Sequence, residues 1–570
     1  YAVGFQPFFG GHSTQPPRFA HGLQLGASAR ERLKAAAAAR WAVPVGEVEA
    51  SESVLTHKPS GRTLRYGDVA AAAASVKLPE EPKPKPRAQW RLIGKASPAK
   101  LSIPDMTRGK AIYGIDVRLP GMVYAALMQA PLQGGRLKSY KPEAVLKMPG
   151  VRAVIVIDPA ATKGSPVPQK STFGFDDTKA QSGGAVIADH YWQARTALEA
   201  LPLEWEAGPG GQWADDGQIY DAARALLGQP GNRTLKTLGD VATATGKRMA
   251  VAVARQFPRK PLKLIWTREE CFRQGRYRTP IVSRFRRVLD DATGLPQAVN
   301  GDCVYVGSRP PFQLPLGFSD QPYFNSGIIP NVKLTGGSLP VSLLNGAWRG
   351  PCYNSHAFNV ETFIDECAVA AGFDPLAYRL SLLANWDASW SDCLRVAADK
   401  AGWGKRLPKG EGLGIAISCW PVASARRNGS VVATVARVAV SAASEVKVRQ
   451  IDVAFDCGSV ANPDAVRAQV EGGTVYGLNA VLNERLGMKD GAIVEGNFDE
   501  YPIIRIADMP ILNVHFDALS GHERMAIIGE APTGPIQPAV GNAIFAATGK
   551  RVRQTPVRMI DLGQSPPAAS

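Results

Sequence analysis

Gly529-Glu530-Ala531-Pro532-Thr533-Gly534-Pro535, followed by Gln537-Pro538-Ala539-Val540-Gly541-Asn542-Ala543-Ile544-Phe545-Ala546-Ala547-Thr548-Gly549-Lys550, is the stretch on which the reading of this chain turns. A single carboxylate stands between a glycine and a run of Pro and Gly that can be neither helix interior nor central strand. Behind it the residues from about Ala539 to Thr548 read as a short apolar helix, stopped by Gly549 with Lys550 and Arg551 at its C-terminal end. Glu530 is thus displayed on a stiff loop among Ile527, Ile528 and Ala531. Such surroundings raise a carboxylate's pKa and make it a usable base, although a solvated loop glutamate is the commoner case.

Working outward, Asp456-Cys457-Gly458-Ser459-Val460-Ala461-Asn462-Pro463 turns into a helix from Asp464 to Leu482 that contains Gln469-Val470-Glu471-Gly472-Gly473. Glycine inside a helix costs about 1 kcal/mol against alanine, so a pair of them implies the close approach of something bulky, either a neighbouring element or a ligand. Upstream, Asn345-Gly346-Ala347-Trp348-Arg349-Gly350-Pro351 precedes an amphipathic helix, Asn359 to Ala371, and Asp374-Pro375 opens another as N-cap and first helical residue. Val431 to Val440 and Val446 to Phe455 read as strands. Gly410-Glu411-Gly412-Leu413-Gly414 has the look of a nucleotide loop but precedes a strand rather than a helix, and is set aside.

Together the segments 529–550, 456–473 and 345–351 resemble the large, molybdopterin-binding subunit of the xanthine dehydrogenase/aldehyde oxidase family of molybdenum hydroxylases. The resemblance is closest to the branch that holds isoquinoline oxidoreductases and the membrane-associated aldehyde dehydrogenases of acetic-acid bacteria. It implies that Glu530 is the active-site base beside molybdenum. It further implies cofactor contacts from Gly10, Gly11, Ser13 and Thr14, from Ala347, Trp348 and Arg349, from Gln469, Gly472 and Gly473, and from Gly529 and Asn542. The cofactor expected is molybdenum–molybdopterin cytosine dinucleotide, held through its own sulfur atoms with no metal-ligating side chains. A Gly-Gly-Gly-Phe-Gly segment that the family carries just before the helix at Arg248 is missing, as is a Gly-Gln-Gly before Tyr1. Either this is a real deletion, which would gut the cofactor site, or the sequence joins segments of a longer polypeptide; a packed core does not survive losing adjacent strands, which favours the second.

The whole chain is 570 residues, 45% hydrophobic and 20% charged, enough for several folded domains with a large core. No apolar run approaches the ~20 residues a bilayer span needs, and no signal peptide is visible at Tyr1. The net charge of +16 is dispersed, its densest patches at Lys83 to Arg87, Arg284 to Arg287 and Lys550 to Arg553 lacking interleaved aromatics, which argues against nucleic-acid binding. The seven cysteines, at 271, 303, 352, 367, 393, 419 and 457, form no CxxC or similar spacing. Iron–sulfur, zinc-ribbon and covalent c-type haem sites are therefore unsupported.

Residues 1–90 read as a loop, a helix from Ala27 to Trp41, a hairpin within Val54 to Tyr66 turning at Lys58-Pro59-Ser60-Gly61, and a proline-alternating linker at Leu78 to Arg87. They are assigned to the molybdopterin-binding region and its linker. Residues 106–206 alternate short β-branched runs, including 109–116, with a helix from Tyr191 to Leu201, an α+β pattern that resembles the family's hammerhead domain. Residues 213–570 form the molybdopterin-binding region proper. The fold class expected is α+β, a multidomain molybdenum hydroxylase large subunit.

The activity that the resemblance implies is oxidation of an aldehyde to a carboxylic acid. Hydroxylation of an N-heteroaromatic of the isoquinoline type stays open as an alternative, as does a catalytically silent scaffold. Electrons would leave through a separate [2Fe–2S] subunit and then a membrane-bound c-type cytochrome. That partner would hold the chain at the periplasmic face of the inner membrane, after export of a precursor with a twin-arginine signal.

Overall fold

A strand that places glycine at 412 and 414 offers bare backbone to whatever covers it, and the C-terminal half of the molecule is organised on that strand. The computed structural model describes residues 15–95, 100–132, 134–158, 182–227, 229, 245–258, 260–307, 322–325, 327–341, 343, 345–346, 348–351, 353–420, 429–520 and 526–557. Glu411–Trp420, Ser430–Val440, Val446–Asp456 and Ile511–His515 form a four-stranded sheet in that order, the first three antiparallel and the last parallel to its neighbour. Residues 411–414, expected to precede a strand, are its opening residues, so the segment leads into a strand and not a helix.

Alternation along these strands divides the sheet between two cores. Ala416, Trp420, Val432 and Ala436 point to one face, against helix Ile536–Thr548. Ile415, Ile417, Val431, Ala433 and Val435 point to the other, against helices Tyr353–Ala370 and Ala388–Ala401. The fit on the first face is tight. A Cβ on Gly414 would lie 2.2 Å from the Ala539 carbonyl oxygen, and one on Gly412 would lie 2.4 Å from that of Ala543. Helix Ile536–Thr548 begins three residues before the expected Ala539, tolerating Pro538 in its first turn, and ends at Gly549 in the left-handed conformation (φ 74°).

On the opposite face Arg379 is completely enclosed. It donates from Nε to Glu361 (2.8 Å) and from Nη1 to Asp365 (3.4 Å), while Tyr323 donates to the other Glu361 oxygen (2.8 Å). Asp365 also accepts from Arg551 (2.6 Å). Helix Tyr353–Ala370 starts six residues ahead of Asn359, and Asp374 caps the next one by accepting from the N–H groups of Leu376 (3.0 Å) and Ala377 (2.9 Å).

A second four-stranded sheet runs Val151–Ile157, Gly183–Ala188, Val123–Gln129, Leu262–Ile265, with helix Tyr191–Ala200 on one face and helix Thr245–Gln256 on the other. Its fourth strand comes from beyond residue 213, pairing in parallel with Val123–Ala126. Residues 109–116, read from their β-branched content as strand, form none. Ile112, Tyr113 and Ile115 stand exposed and the segment forms turns and irregular backbone, its Ile115 carbonyl accepting from Lys263 Nζ (2.8 Å) instead of joining a ladder. Near the N-terminus, helix Gln15–Trp41 starts well before Ala27 with two prolines in its first turn, and packs on a three-stranded sheet that includes the expected hairpin. Among the described residues no helix is long and apolar enough to cross a membrane.

Candidate active site

Glu530 lies on the turn that leads through a short helical turn, Ala531–Thr533, into helix Ile536–Thr548, so its position is set by how that helix seats on the glycine-bearing strand. Burial pushes its carboxyl up to about 7 against the opposing pull of the Gly350 backbone N–H, the Trp420 side chain and the Arg349 charge. Gly350 has φ 74°, and a Cβ there would come within 3.2 Å of the Glu530 carbonyl, so a glycine is what lets this N–H come so close. Trp420 closes strand Glu411–Trp420 and is held edge-on to Tyr353, with ring centroids 4.5 Å apart.

Arg349 ties the site together. Its Nε donates to the Gly529 carbonyl (2.7 Å), and its Nη2 donates to the side-chain oxygen (2.8 Å) and the main-chain oxygen (3.2 Å) of Gln469. Burial draws its pKa down while the nearby Glu530 carboxyl raises it. The glycine pair on helix Pro463–Leu482 serves this contact. A Cβ on Gly473 would meet Pro532 at 3.1 Å and Arg349 at 3.5 Å, so the bulky neighbour implied by the sequence is in part the protein itself. Gly477, one turn further on, is more tightly constrained, with a Cβ falling 2.3 Å from the Thr533 carbonyl oxygen.

Of the residues singled out from the sequence, Glu530, Gly529, Arg349, Gln469, Gly472 and Gly473 come together here. Trp348 stands beside them, its ring stacked on Tyr476 (4.6 Å). Asn542 does not join them. Its Nδ2 donates to the Ile415 carbonyl (3.2 Å) and its side chain is buried between helix and sheet. Gly10, Gly11, Ser13, Thr14 and Ala347 lie outside the described residues. Trp420, Gly350, Tyr476 and Gln537 were missed. Only Trp420 is brought in by tertiary packing from a segment that carries no motif, whereas Gln537 lies in the opening stretch, Tyr476 on the helix read from Asp464 to Leu482 and Gly350 in Trp348-Arg349-Gly350-Pro351.

Residues 414–510 match the model of a molybdopterin cofactor-binding domain, a span that includes Gln469 through Tyr476 and stops short of Glu530. The chain is 27% identical to a membrane-bound aldehyde dehydrogenase [pyrroloquinoline-quinone] of Gluconacetobacter polyoxogenes, covering 88% of this chain and 77% of that one. It is 25% identical to the isoquinoline 1-oxidoreductase subunit beta of Brevundimonas diminuta, covering 94% and 81%. The fold matches that of quinoline 2-oxidoreductase from Pseudomonas putida 86, with a TM-score of 0.63 at 13% identity over 82% of this chain and 97% of that one. The chain is thus similar to large subunits of molybdenum hydroxylases and carries a match to their molybdopterin cofactor-binding domain. Its alignment with the first relative runs over 619 positions, more than its own 570 residues, so the sequence lacks residues that the relative carries inside the matched region.

The pocket suits a molybdopterin. Gly472 and Gly529 present bare backbone with room beside it, a Cβ on the first meeting only Arg349 Nη1 (3.6 Å) and on the second only Gln469 Oε1 (3.8 Å). Donors and acceptors of Arg349 and Gln469 border that space, and Glu530, whose carboxyl burial raises to about 7, follows Gly529 directly in the chain.

Proposed function

We propose that this chain is the large subunit of an oxidoreductase that converts an aldehyde to a carboxylic acid, with Glu530 as the base. The carrying observation is a carboxyl poised about 7, set in a pocket with the Arg349–Gln469 clamp and the Trp420 indole. The pterin cofactor, in its cytosine dinucleotide form, would be held by Gln469, Arg349 and the backbone at Gly472 and Gly529, with Trp348 beside it. When bound it supplies the redox chemistry, taking up the electron pair that the substrate gives up.

The protein's own residues have three tasks. Glu530 takes a proton from the oxygen nucleophile as it adds to the electrophilic carbon, a role that needs a carboxyl ionised at working pH yet basic enough to accept. Trp420 and the Gly350 N–H hold that carboxyl in place, so it spends little free energy reorienting at the moment of transfer. Apolar Ile527, Ala531 and Trp420 keep water from the carboxyl, which sustains its basicity.

Electrons leave through a [2Fe–2S] subunit and then a membrane-bound c-type cytochrome. That cytochrome would tether the chain to the periplasmic face of the inner membrane, after export of a twin-arginine precursor. The membrane-bound character of the aldehyde dehydrogenase relative supports the tether, and the name "subunit beta" of the other supports a multi-subunit complex.

Hydroxylation of an N-heteroaromatic is the second reading, favoured by the heteroaromatic relative and by the stacked rings of Trp348 and Tyr476 beside the pocket. Turnover of the purified complex with acetaldehyde and with isoquinoline, side by side, decides between them. Acetaldehyde should be the better substrate by at least ~10-fold in kcat/KM, and the reverse order would install the heteroaromatic reading. Molybdenum below about a tenth of an equivalent with neither substrate turned over would show a silent scaffold.

A further inference from the structure

Arg278 is a guanidinium beside the pocket whose hydrogen-bonding capacity is almost unused. It is firmly placed: Tyr277 bridges Asn345 in parallel, and the Gly346 N–H donates to the Tyr277 carbonyl (3.0 Å), so residues 277–278 run alongside 345–348. The guanidinium lies 4.7 Å from the centroid of the Trp348 ring, which in turn stacks on Tyr476. Its direct polar partner among the described residues is Gln537 Oε1, at a long 3.4 Å, leaving most of a five-donor fork without an acceptor.

No described carboxylate makes an ion pair with it. Glu484 contributes to its electrostatic environment, but that acid accepts from Asn479 Nδ2 (2.9 Å) and from the Tyr501 side chain, and burial favours its neutral form. The remaining groups facing Arg278 are the hydroxyls of Tyr220, Tyr476 and Tyr501, which are neutral and held so by burial. Arg379, which is completely enclosed, has two carboxylates of its own. An arginine still partly reachable by solvent and without such partners is arranged to receive an anion from outside the chain. Gln537 links it to the site, since its Nε2 donates to the Thr533 carbonyl (3.3 Å) and the Thr533 N–H to the Glu530 carbonyl (3.2 Å).

We propose that Arg278, backed by Trp348 and Gln537, is an oxyanion-receiving residue that binds a carboxylate or phosphate group of a molecule occupying this pocket. The placement of that pocket rests on the reading above. The oxyanion has two sources, the carboxylate of the reaction product or a phosphate of the pterin's dinucleotide tail.

The test compares the whole purified complex with and without Arg278→Met, reading acetate affinity by calorimetry and bound molybdenum and pterin by analysis. Weakening of acetate binding by more than threefold at unchanged cofactor content supports the product carboxylate. Loss of more than half the cofactor supports the phosphate. Acetate affinity within threefold of wild type together with cofactor content above half overturns the proposal. If the variant does not fold, phenylglyoxal labelling of the wild-type complex, mapped by mass spectrometry, replaces it. Arg278 should be protected by acetate, or labelled only after the cofactor is stripped, and equal labelling under all three conditions sinks the idea. None of these readouts is turnover, so they fail or succeed independently of the role given to Glu530.

Discussion

Glu361 and Glu530 are both carboxylates withdrawn from water, on opposite faces of the same sheet, and they are accommodated differently. Glu361 receives a guanidinium on one oxygen and a tyrosine hydroxyl on the other, inside a network that continues through Asp365 to Arg551. Burial leaves its pKa raised, although Arg379 and Tyr323 pull against that rise. Glu530 has a backbone N–H, an indole and the field of an arginine whose hydrogen bonds go elsewhere, and it comes to rest about 7. A carboxylate held in a buried, hydrogen-bonded ion pair specifies structure. A partly compensated one is left able to exchange its proton.

The largest effect expected from this contrast is on the compensated side. Arg379→Met would leave Glu361 buried without its cation and should cost about 3–5 kcal/mol, read as the shift in unfolding midpoint. A loss below ~1 kcal/mol would erase the distinction between the two carboxylates.

Glu530→Gln should behave in the opposite way, with molybdenum content and fold intact and turnover down at least ~100-fold. Activity within threefold of wild type would remove Glu530 from the chemistry. In the wild type the base must be ionised, so kcat should rise with pH through an apparent pKa about 7, a limb that the glutamine variant should lack. The linkage to stability has the opposite sign. The folded-state pKa is raised, so between the unfolded value near 4.5 and about 7 the native state binds more protons, and stability falls as pH rises across that window. Above it, Glu530→Gln should be the more stable protein by on the order of 1–3 kcal/mol.

Glu270 supplies the smallest and most discriminating test. Burial also raises it to about 7, but its neighbours are the Gln129 backbone N–H (3.2 Å) and side-chain amide (3.1 Å), in the sheet of the other unit. Glu270→Gln should add on the order of 1 kcal/mol of stability above pH 7 and leave turnover within threefold. A large loss of activity would mean that proton exchange at Glu530 is not what distinguishes the two sites.

The sequence was most readable where backbone chemistry is local. The cap at Asp374-Pro375, the stop at Gly549 and the hairpin at Lys58 to Gly61 each follow from a few adjacent residues. The site was readable in part. Glu530, Arg349 and the Gln469–Gly473 segment could be named because each sits in a short pattern, and their meeting rests on the family resemblance. Trp420 could not be named, since nothing next to it in the chain sets it apart and only packing brings it to Glu530, while Gln537 stood inside the decisive stretch and its reach to Arg278 is set by tertiary structure alone. Segment 109–116 failed for the converse reason: it has the composition of a strand but joins no sheet, and strand propensity means little without ladder pairing.

Gly412 and Gly414 work as a spacer of zero thickness. Helix Ile536–Thr548 lies directly on their backbone, and Glu530 hangs from the turn at its leading end, so the sheet acts as the datum from which the position of the Glu530 carboxyl is measured. One methyl group at position 414 would have to lift the helix off that datum, because 2.2 Å from a carbonyl oxygen is not a distance a carbon can keep. The alignment of the proposed base is therefore governed by the absence of a side chain on another element.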